Sequence, residues 1–339
     1  MKIAFLSLSY GAVERGAEIF VYEVSKRLSG MGNEVTIISD KKIPAKRWPF
    51  FWRLFLDPHG IQVCLFTLKN LPKIWRERYD VVIPLDGGWE PAWVRLITWV
   101  YGGKMVISGQ SGKGWDDRNN LWCFPDTFVA LSSMLSGWAK KTNPLVKTEY
   151  IANGVDTDKF KPGGPKVNFN IEKPIILCVG ALSEDKRIEL AIKAVSKLEN
   201  GSLVVIGGGQ LRKSLTELGK KLLGKRFLIT EYNFSQMPKV YRAADLFTLP
   251  SPWYRAFEIV LVEAMATNLP VVANDDPIRR EIVAEAGILV DPTKIDGYAK
   301  ALKEALNTNW GGGPRKQAEK FDWDRIAKKY EKLFLEIRN

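Results

Sequence analysis

Chemistry is most legible between Ser251 and Asn274, SPWYRAFEIVLVEAMATNLPVVAN. Turn and ring residues open this stretch, and an apolar run with helical spacing follows (Phe257, Val260, Leu261, Ala264, Met265). Asn268 and Pro270 break the run, and a β-branched strand closes it. The pattern predicts a loop, a helix and a buried strand. Glu263 then falls on the first two turns of the helix, near N–H groups that lack intrahelical partners and carry partial positive charge. Amides suit a diphosphate and a carboxylate suits ribose hydroxyls, so the pairing suits a nucleotide.

Other candidates are weaker or point to structure. Gly207-Gly208-Gly209 follows an apolar strand; such a turn holds a phosphate, passes close to a base, or simply reverses the chain. Two polar, glycine-bearing strand ends, Asp86-Gly87-Gly88 and Ser108-Gly109-Gln110-Ser111-Gly112, belong at the ligand-facing edge of a parallel sheet. The sole histidine, His59, reads as part of a Pro-Gly turn, which argues against histidine-based catalysis or metal binding. Asp156-Thr157-Asp158 is too short a match to a metal-binding D-x-D to carry weight and reads as a turn and helix cap. Asp275-Asp276 before Pro277 reads as a cap for the next helix. Cys64, Cys123 and Cys178 have neither disulfide nor zinc spacing. No cofactor and no obligatory metal are expected.

The elements that must position these residues alternate. Lys2 to Ser9 reads as a buried strand, Gly16 to Gly30 as an amphipathic helix and Glu34 to Ser39 as a second strand. Strands are expected at 81–85, 104–108, 127–131 and near 149–151, then at 175–179, 203–206, 227–230, 246–249, 270–273 and 288–290, with helix-sized segments between them. That alternation means two parallel, doubly wound sheets. Ala152 to Lys173, with its prolines and glycines, interrupts the rhythm and reads as a linker. The first turn, SYGAVERGAE, lacks the G-x-G-x-x-G of dinucleotide oxidoreductases, so a dehydrogenase is a distant reading.

With those motifs in place, the chain resembles the GT-B glycosyltransferases, in particular the retaining, nucleotide-sugar-dependent family 4. The family signature is matched by Ser251, Phe257, Glu263, Ala264, Met265, Pro270, Val271 and Val272, while the position of its first Glu holds Arg255 and that of its Gly holds Glu258. Gly180 to Lys186 is similar to the family's G-R-L-x-x-x-K turn, with Lys186 matching and Ala181 at the Arg position. Arg15-Gly16-Ala17-Glu18 resembles its N-terminal glycine turn, and Tyr241 to Asp245 a helix end read as structural.

The resemblance implies an α/β, GT-B fold of two Rossmann-like, doubly wound domains facing a central cleft. Residues 1–160 would be the acceptor-side domain and 161–320 the donor-binding domain, with helix 322–337 packing back on the first. It implies retaining transfer of a sugar from a nucleoside diphosphate sugar to an acceptor hydroxyl. Lys186, Arg255 and Glu258 take the catalytic positions. Gly16, Ala17, Gly208, Phe257, Ile259, Val260 and Glu263 bind the donor, and Asp86 and Gln110 the sugar or acceptor. Two readings of the altered loop stay open. In one, Arg255 pairs with the phosphate and Glu258 turns to the sugar hydroxyls; in the other, Glu258 competes with the diphosphate for helix amides and the chain is a non-catalytic nucleotide-sugar-binding or membrane-partner protein.

Composition sets the setting. The 339 residues carry a formal net charge of +12, with 46% hydrophobic residues, and nine of the 12 tryptophans precede residue 140. Such a balance implies an acidic partner. Lys41 to Leu56, KKIPAKRWPFFWRLFL, has five basic residues, five aromatics and no acid. Lys41, Lys42, Arg47, Trp48, Trp52 and Arg53 thus suit an anionic membrane surface, the alternative being a buried aromatic loop with solvated charges. No nucleic-acid-binding signature is present. No run reaches ~18 apolar residues, and the opening residues turn polar too soon for a signal peptide. The expected location is cytoplasmic, peripheral at the inner face of the membrane.

Overall fold

The computed structural model describes residues 1–13, 16–252 and 257–338. It divides into two compact units, Met1–Asn153 with Trp323–Asn339, and Gly154–Asp322. The first contains β1 (Lys2–Leu6), α1 (Gly16–Gly30), β2 (Glu34–Ile38), α2 (Pro58–Glu77), β3 (Val81–Pro84) and α3 (Trp89–Tyr101). It continues through β4 (Lys104–Ser108), α4 (Trp115–Trp122), β5 (Thr127–Ala130), α5 (Ser133–Thr142) and β6 (Thr148–Tyr150). The second runs through β7 (Ile175–Val179), α6 (Ile188–Val195), β8 (Ser202–Ile206), α7 (Arg212–Leu223), β9 (Phe227–Thr230), α8 (Met237–Arg242) and β10 (Leu246–Leu249). Next come α9 (Ile259–Ala266), β11 (Val271–Asn274), α10 (Pro277–Val283), β12 (Gly287–Val290), α11 (Ile295–Asn307) and α12 (Gly313–Ala318), before α13 (Trp323–Arg338) returns to the first unit.

Each unit holds one six-stranded parallel sheet, ordered β2-β1-β3-β4-β5-β6 and β12-β11-β10-β7-β8-β9. Strands such as Ile3–Leu6 and Ile176–Cys178 are wholly buried, as parallel strands covered on both faces must be. In the first unit the order reverses between β1 and β3, and in the second between β7 and β10. Loops leaving the carboxyl ends at such switch points diverge and leave a crevice, where open α/β sheets bind ligands.

Helix α13 packs on α1 through Phe20, whose ring centroid lies 5.4 Å from that of Tyr330 and 6.4 Å from that of Trp323. Its buried residues Trp323, Ile326, Ala327, Tyr330, Leu333 and Phe334 fall at helical spacing, which is what makes one face apolar.

The 152–173 stretch is not a free linker. From Gly154 onward it is fastened to the second unit: Val155 N donates to Phe321 O at 2.9 Å, Phe160 is 2% exposed, and Val167 N reaches Lys239 O. Arg315 and Arg242 bridge to its carbonyls at Thr157, Phe160, Lys161 and Pro165. Prolines and glycines there shape an irregular but hydrogen-bonded strap, a distinction that composition alone does not carry.

Candidate functional site

The second unit gathers charge at its switch point. Chain leaving β7 passes Gly180 and meets the turn after β8, where Leu182 N donates to Gly208 O at 2.9 Å and Leu211 N to Leu182 O at 3.0 Å. A Cβ on Gly207, at φ +149°, would lie 2.0 Å from the Gly180 carbonyl oxygen, and one on Gly209, at φ +154°, 2.5 Å from that of Leu182. Backbone approach between two loops is therefore sufficient reason for those two glycines. Gly208 lies beside Glu231, which pairs with Arg212.

A short 3₁₀ turn, Glu184–Lys186, ends at Arg187 in the left-handed region (φ 51°) and leads into α6. Lys186 reaches the segment before α9, where its Nζ lies 2.5 Å from Glu258 Oε1. The other oxygen, Oε2, accepts from Ser251 Oγ at 2.5 Å and lies 3.1 Å from Arg279 Nη2. Arg279, 1% exposed, also lies 3.4 Å from Asp276 Oδ2 and donates to Ser251 Oγ at 3.2 Å. Asp276 in turn caps α10, accepting from Ile278 N and Arg279 N. Two cations and two carboxylates thus form one cluster, and only Lys186, with 20% of its side chain exposed, reaches the surface appreciably.

Burial alone would raise the Glu258 carboxyl, but Lys186, Arg279 and the Ser251 hydroxyl outweigh it and hold the pKa below the ordinary carboxylate value. Its position precedes the first turn of α9, yet its side chain makes no capping bond to that helix. It takes no helix amide and is occupied by Lys186, Arg279 and Ser251, because two nearby cations outcompete neutral N–H donors for a carboxylate. Arg255 lies outside the described residues.

Glu263 sits on the second turn of α9, 4% exposed, and accepts from the Tyr241 hydroxyl at 2.7 Å. Burial and the adjoining Glu263 push the Tyr241 phenol well above its usual value, so it stays a donor. Tyr241, read from sequence as structural, is therefore a direct partner of Glu263. Ile259 and Val260 form the first turn of α9, and the Phe257 ring packs 5.6 Å from that of Phe321.

Residues expected to act from the first unit have other engagements. Asp86 Oδ2 accepts from Leu8 N at 2.7 Å, beside buried Glu18 and Glu90, and burial raises its pKa to about 6. Gln110 exchanges hydrogen bonds with Asn153 at 2.8 and 3.3 Å and donates to Ser108 Oγ. Its amide fastens the end of β4, a use that strand-end position does not reveal. Gly16 and Ala17 open α1. His59 belongs to the first turn of α2 rather than to a Pro-Gly turn, since Asp57 caps that helix and Pro58 occupies its first position.

The basic aromatic segment is partly tied down. Arg47 makes a bidentate pair with Asp116 at 3.1 and 3.2 Å, and Arg53 lies over the rings of Trp52 and Trp115. Lys42 Nζ is 3.7 Å from Asp40, and Lys41 runs beside Gly11. Trp48, Phe50 and Phe51 remain exposed and Trp52 half-buried. Asp156 Oδ1 accepts from Asp158 N and Lys159 N, forming a turn. No group of three or more metal-capable side chains occurs among the described residues, and among them no helix is long and apolar enough to cross a membrane.

Sequence reasoning missed Arg279. Its spacing, three residues after a helix-capping Asp, places it near that cap but does not reveal its burial against Glu258.

Residues 164–323 match the family described as glycosyl transferases group 1. An uncharacterized glycosyltransferase of Methanocaldococcus jannaschii is 32% identical over 209 residues, 55% of this chain and 53% of that protein. The chain spans about half the length of the first curated relatives it matches. Sucrose-phosphate synthase from Thermosynechococcus elongatus superposes with a TM-score of 0.81 at 19% identity, covering 99% of this chain and 98% of that one. Anabaena HepE, solved with UDP and glucose, gives 0.75 at 16% identity, covering 99% and 100%. The chain thus has the fold of the GT-B glycosyltransferases, and its residues 164–323 are similar to the glycosyl transferases group 1 family.

Proposed function

We propose that this chain is a retaining glycosyltransferase moving a sugar from a nucleoside diphosphate sugar to the hydroxyl of a membrane-associated, lipid-linked or polysaccharide acceptor. One observation carries the reading: Lys186, from the loop after β7, and the start of α9, after β10, converge beside the point where the strand order of the second unit reverses. HepE, which shares the fold, was solved with UDP and glucose.

In this proposal Lys186 and the amides of Ile259 and Val260 receive the diphosphate, and Glu263 receives the ribose hydroxyls. Gly208 and Phe257 are assigned to the donor, and Gly16 and Ala17 to its phosphate by their place in the N-terminal glycine turn. Asp86 and Gln110 are assigned to the sugar or acceptor by their places at strand ends. Arg255 is assigned to the phosphate by its place in the signature. Fixed amides and cations stabilise the charge that develops on the departing diphosphate, the term that usually dominates such chemistry. Glu258 contributes by holding Lys186 in place before the donor arrives, so that less ordering is needed on binding. With cations already present, no metal is required, no cofactor takes part and no nucleic acid is bound. Action is in the cytoplasm, at the inner face of the membrane.

The test incubates purified protein with UDP- and GDP-sugars, a membrane lipid extract and EDTA, and reads the anomeric configuration of any product by NMR. Retained configuration at undiminished rate in EDTA is expected. Inversion, or activity restored only by magnesium or manganese, would contradict the mechanism. Nucleotide binding without turnover would favour a non-catalytic binding protein.

A further inference from the structure

Helix α2 has two apolar faces, and only one is used within the fold. Val63, Phe66, Thr67 and Ile74 are buried against the first unit. On the opposite side Ile61 is 48% exposed, Leu65 62%, Leu68 39% and Trp75 41%, with Pro72 exposed among them. The positions 61, 65, 68, 72 and 75 fall within about 80° of arc on a helix of 3.6 residues per turn, a continuous stripe rather than scattered exposure. An unpartnered stripe of that kind marks an interaction surface.

Charge selects the partner. Lys69, Lys73 and Arg76 lie along one flank of the stripe, while Glu77 is the helix's only acid and is held by Arg76 and by Lys2. Lys69 is shared with Asp40, but Lys73 is exposed and Arg76 is 76% exposed. Leucine, isoleucine and tryptophan beside lysine and arginine, with no unpaired acid, is the composition of a helix lying in the headgroup region of an anionic bilayer.

The surroundings extend the surface. Gln62 ties Ile43 and Ala45 along α2, leaving Ile43 71% exposed. Helix α3, packed on α2, exposes Leu96, Trp99 and Val100 and borders a groove of about 430 Å³ lined by Trp89, Trp93, Trp122 and Phe124.

We infer that the Ile61–Trp75 face of α2 is the principal docking surface of the first unit on anionic phospholipid, with the 41–56 segment beside it. The inference rests on the proposal of a membrane-borne acceptor and moves the contact from that loop to a helix. The bilayer removes the stripe from water, and Lys73 and Arg76 meet headgroup phosphates; the attraction weakens as salt rises.

The test is co-sedimentation of the full chain with vesicles of phosphatidylcholine alone and with roughly one third phosphatidylglycerol, a fraction high enough to give a strongly negative surface. Leu65→Glu with Trp75→Glu should cut binding to the anionic vesicles at least tenfold, and Lys73→Glu with Arg76→Glu should remove the preference for them. Leu145→Glu, on an 81% exposed residue elsewhere in the unit, should change nothing. Nucleotide affinity, read by calorimetry, should be unchanged in every variant. Loss of binding in Trp48→Ala with Trp52→Ala but not in the α2 variants would overturn the inference while leaving a membrane acceptor intact. Absence of vesicle binding by the unsubstituted protein would overturn both. A dimer in sedimentation velocity that Leu65→Glu with Trp75→Glu makes monomeric would assign the face to a second copy and likewise overturn it.

Discussion

Lys186 and Glu258 meet at 2.5 Å although 72 residues separate them, one leaving β7 and the other preceding α9. Glu258 is 7% exposed, so its charge depends on its partners. In the proposed mechanism the pair orients the one cation of the cluster that reaches the surface. Replacing Glu258 with Gly should therefore lower donor affinity at least tenfold, about 1.4 kcal/mol, measured by calorimetric titration with nucleoside diphosphates. A tenfold gain would instead show that the carboxylate competes with the donor for Lys186.

Arg279→Met should strongly destabilise the second unit. It removes a cation that is 1% exposed and leaves Glu258 and Asp276 short of a counter-charge. Breaking a buried pair in this way costs about 3–5 kcal/mol. Chemical denaturation followed by circular dichroism reads it, and Arg279→Met combined with Glu258→Gln should recover part of the loss.

Glu263 and Tyr241 separate binding from folding. Tyr241→Phe deletes a 2.7 Å bond to a buried carboxylate and should cost about 1.5–3 kcal/mol of stability. Glu263→Gln keeps an acceptor for Tyr241 but removes the charge offered to ribose, so it should weaken nucleotide binding by about 1–3 kcal/mol. Equal nucleotide affinity in Glu263→Gln and the unsubstituted protein would remove Glu263 from the donor site.

The first unit should lose stability on the alkaline side. Burial raises Asp86 from 3.8 to about 6 and Asp117 from 3.8 to about 8, with Asp116 adding to the second shift. A folded pKa above the unfolded one means tighter proton binding in the native state. That contribution is complete below 3.8 and disappears as pH climbs through about 6 and about 8. Glu258, held low, acts in the opposite sense and loses its contribution as pH falls below the ordinary carboxylate range. Asp117→Asn should raise the melting temperature at pH 8 much more than near the unfolded value of 3.8, as read by calorimetry.

Much of the fold was legible because period and burial agree in it. The strands from Lys2 onward are short apolar runs between turn residues, and their alternation with helices admits little besides parallel sheets. The places of Glu263 on α9 and of Lys186 in the turn after β7 were legible through spacing from strand ends. Arg279 was not, since a charged residue on a seven-residue helix normally faces solvent, and its burial depends on Glu258 lying 3.1 Å away from another loop. Likewise the segment Lys41–Leu56 contains no acid of its own, and Asp116, which binds Arg47, comes from 69 residues downstream. The stripe on α2 was hidden for a related reason. Both faces of that helix are apolar, and only packing tells which one the fold leaves uncovered.

Transfer from a nucleoside diphosphate sugar, compared between the unsubstituted protein and Lys186→Ala, tests the proposed activity and the role of Lys186 together. Membrane lipid extract supplies the acceptor, and released UDP or GDP and the labelled product are counted together. Product is expected with at least one donor, with a fall of tenfold or more in Lys186→Ala while circular dichroism shows the fold intact. Equal turnover in the two proteins, or no release and no product with any donor, would contradict it.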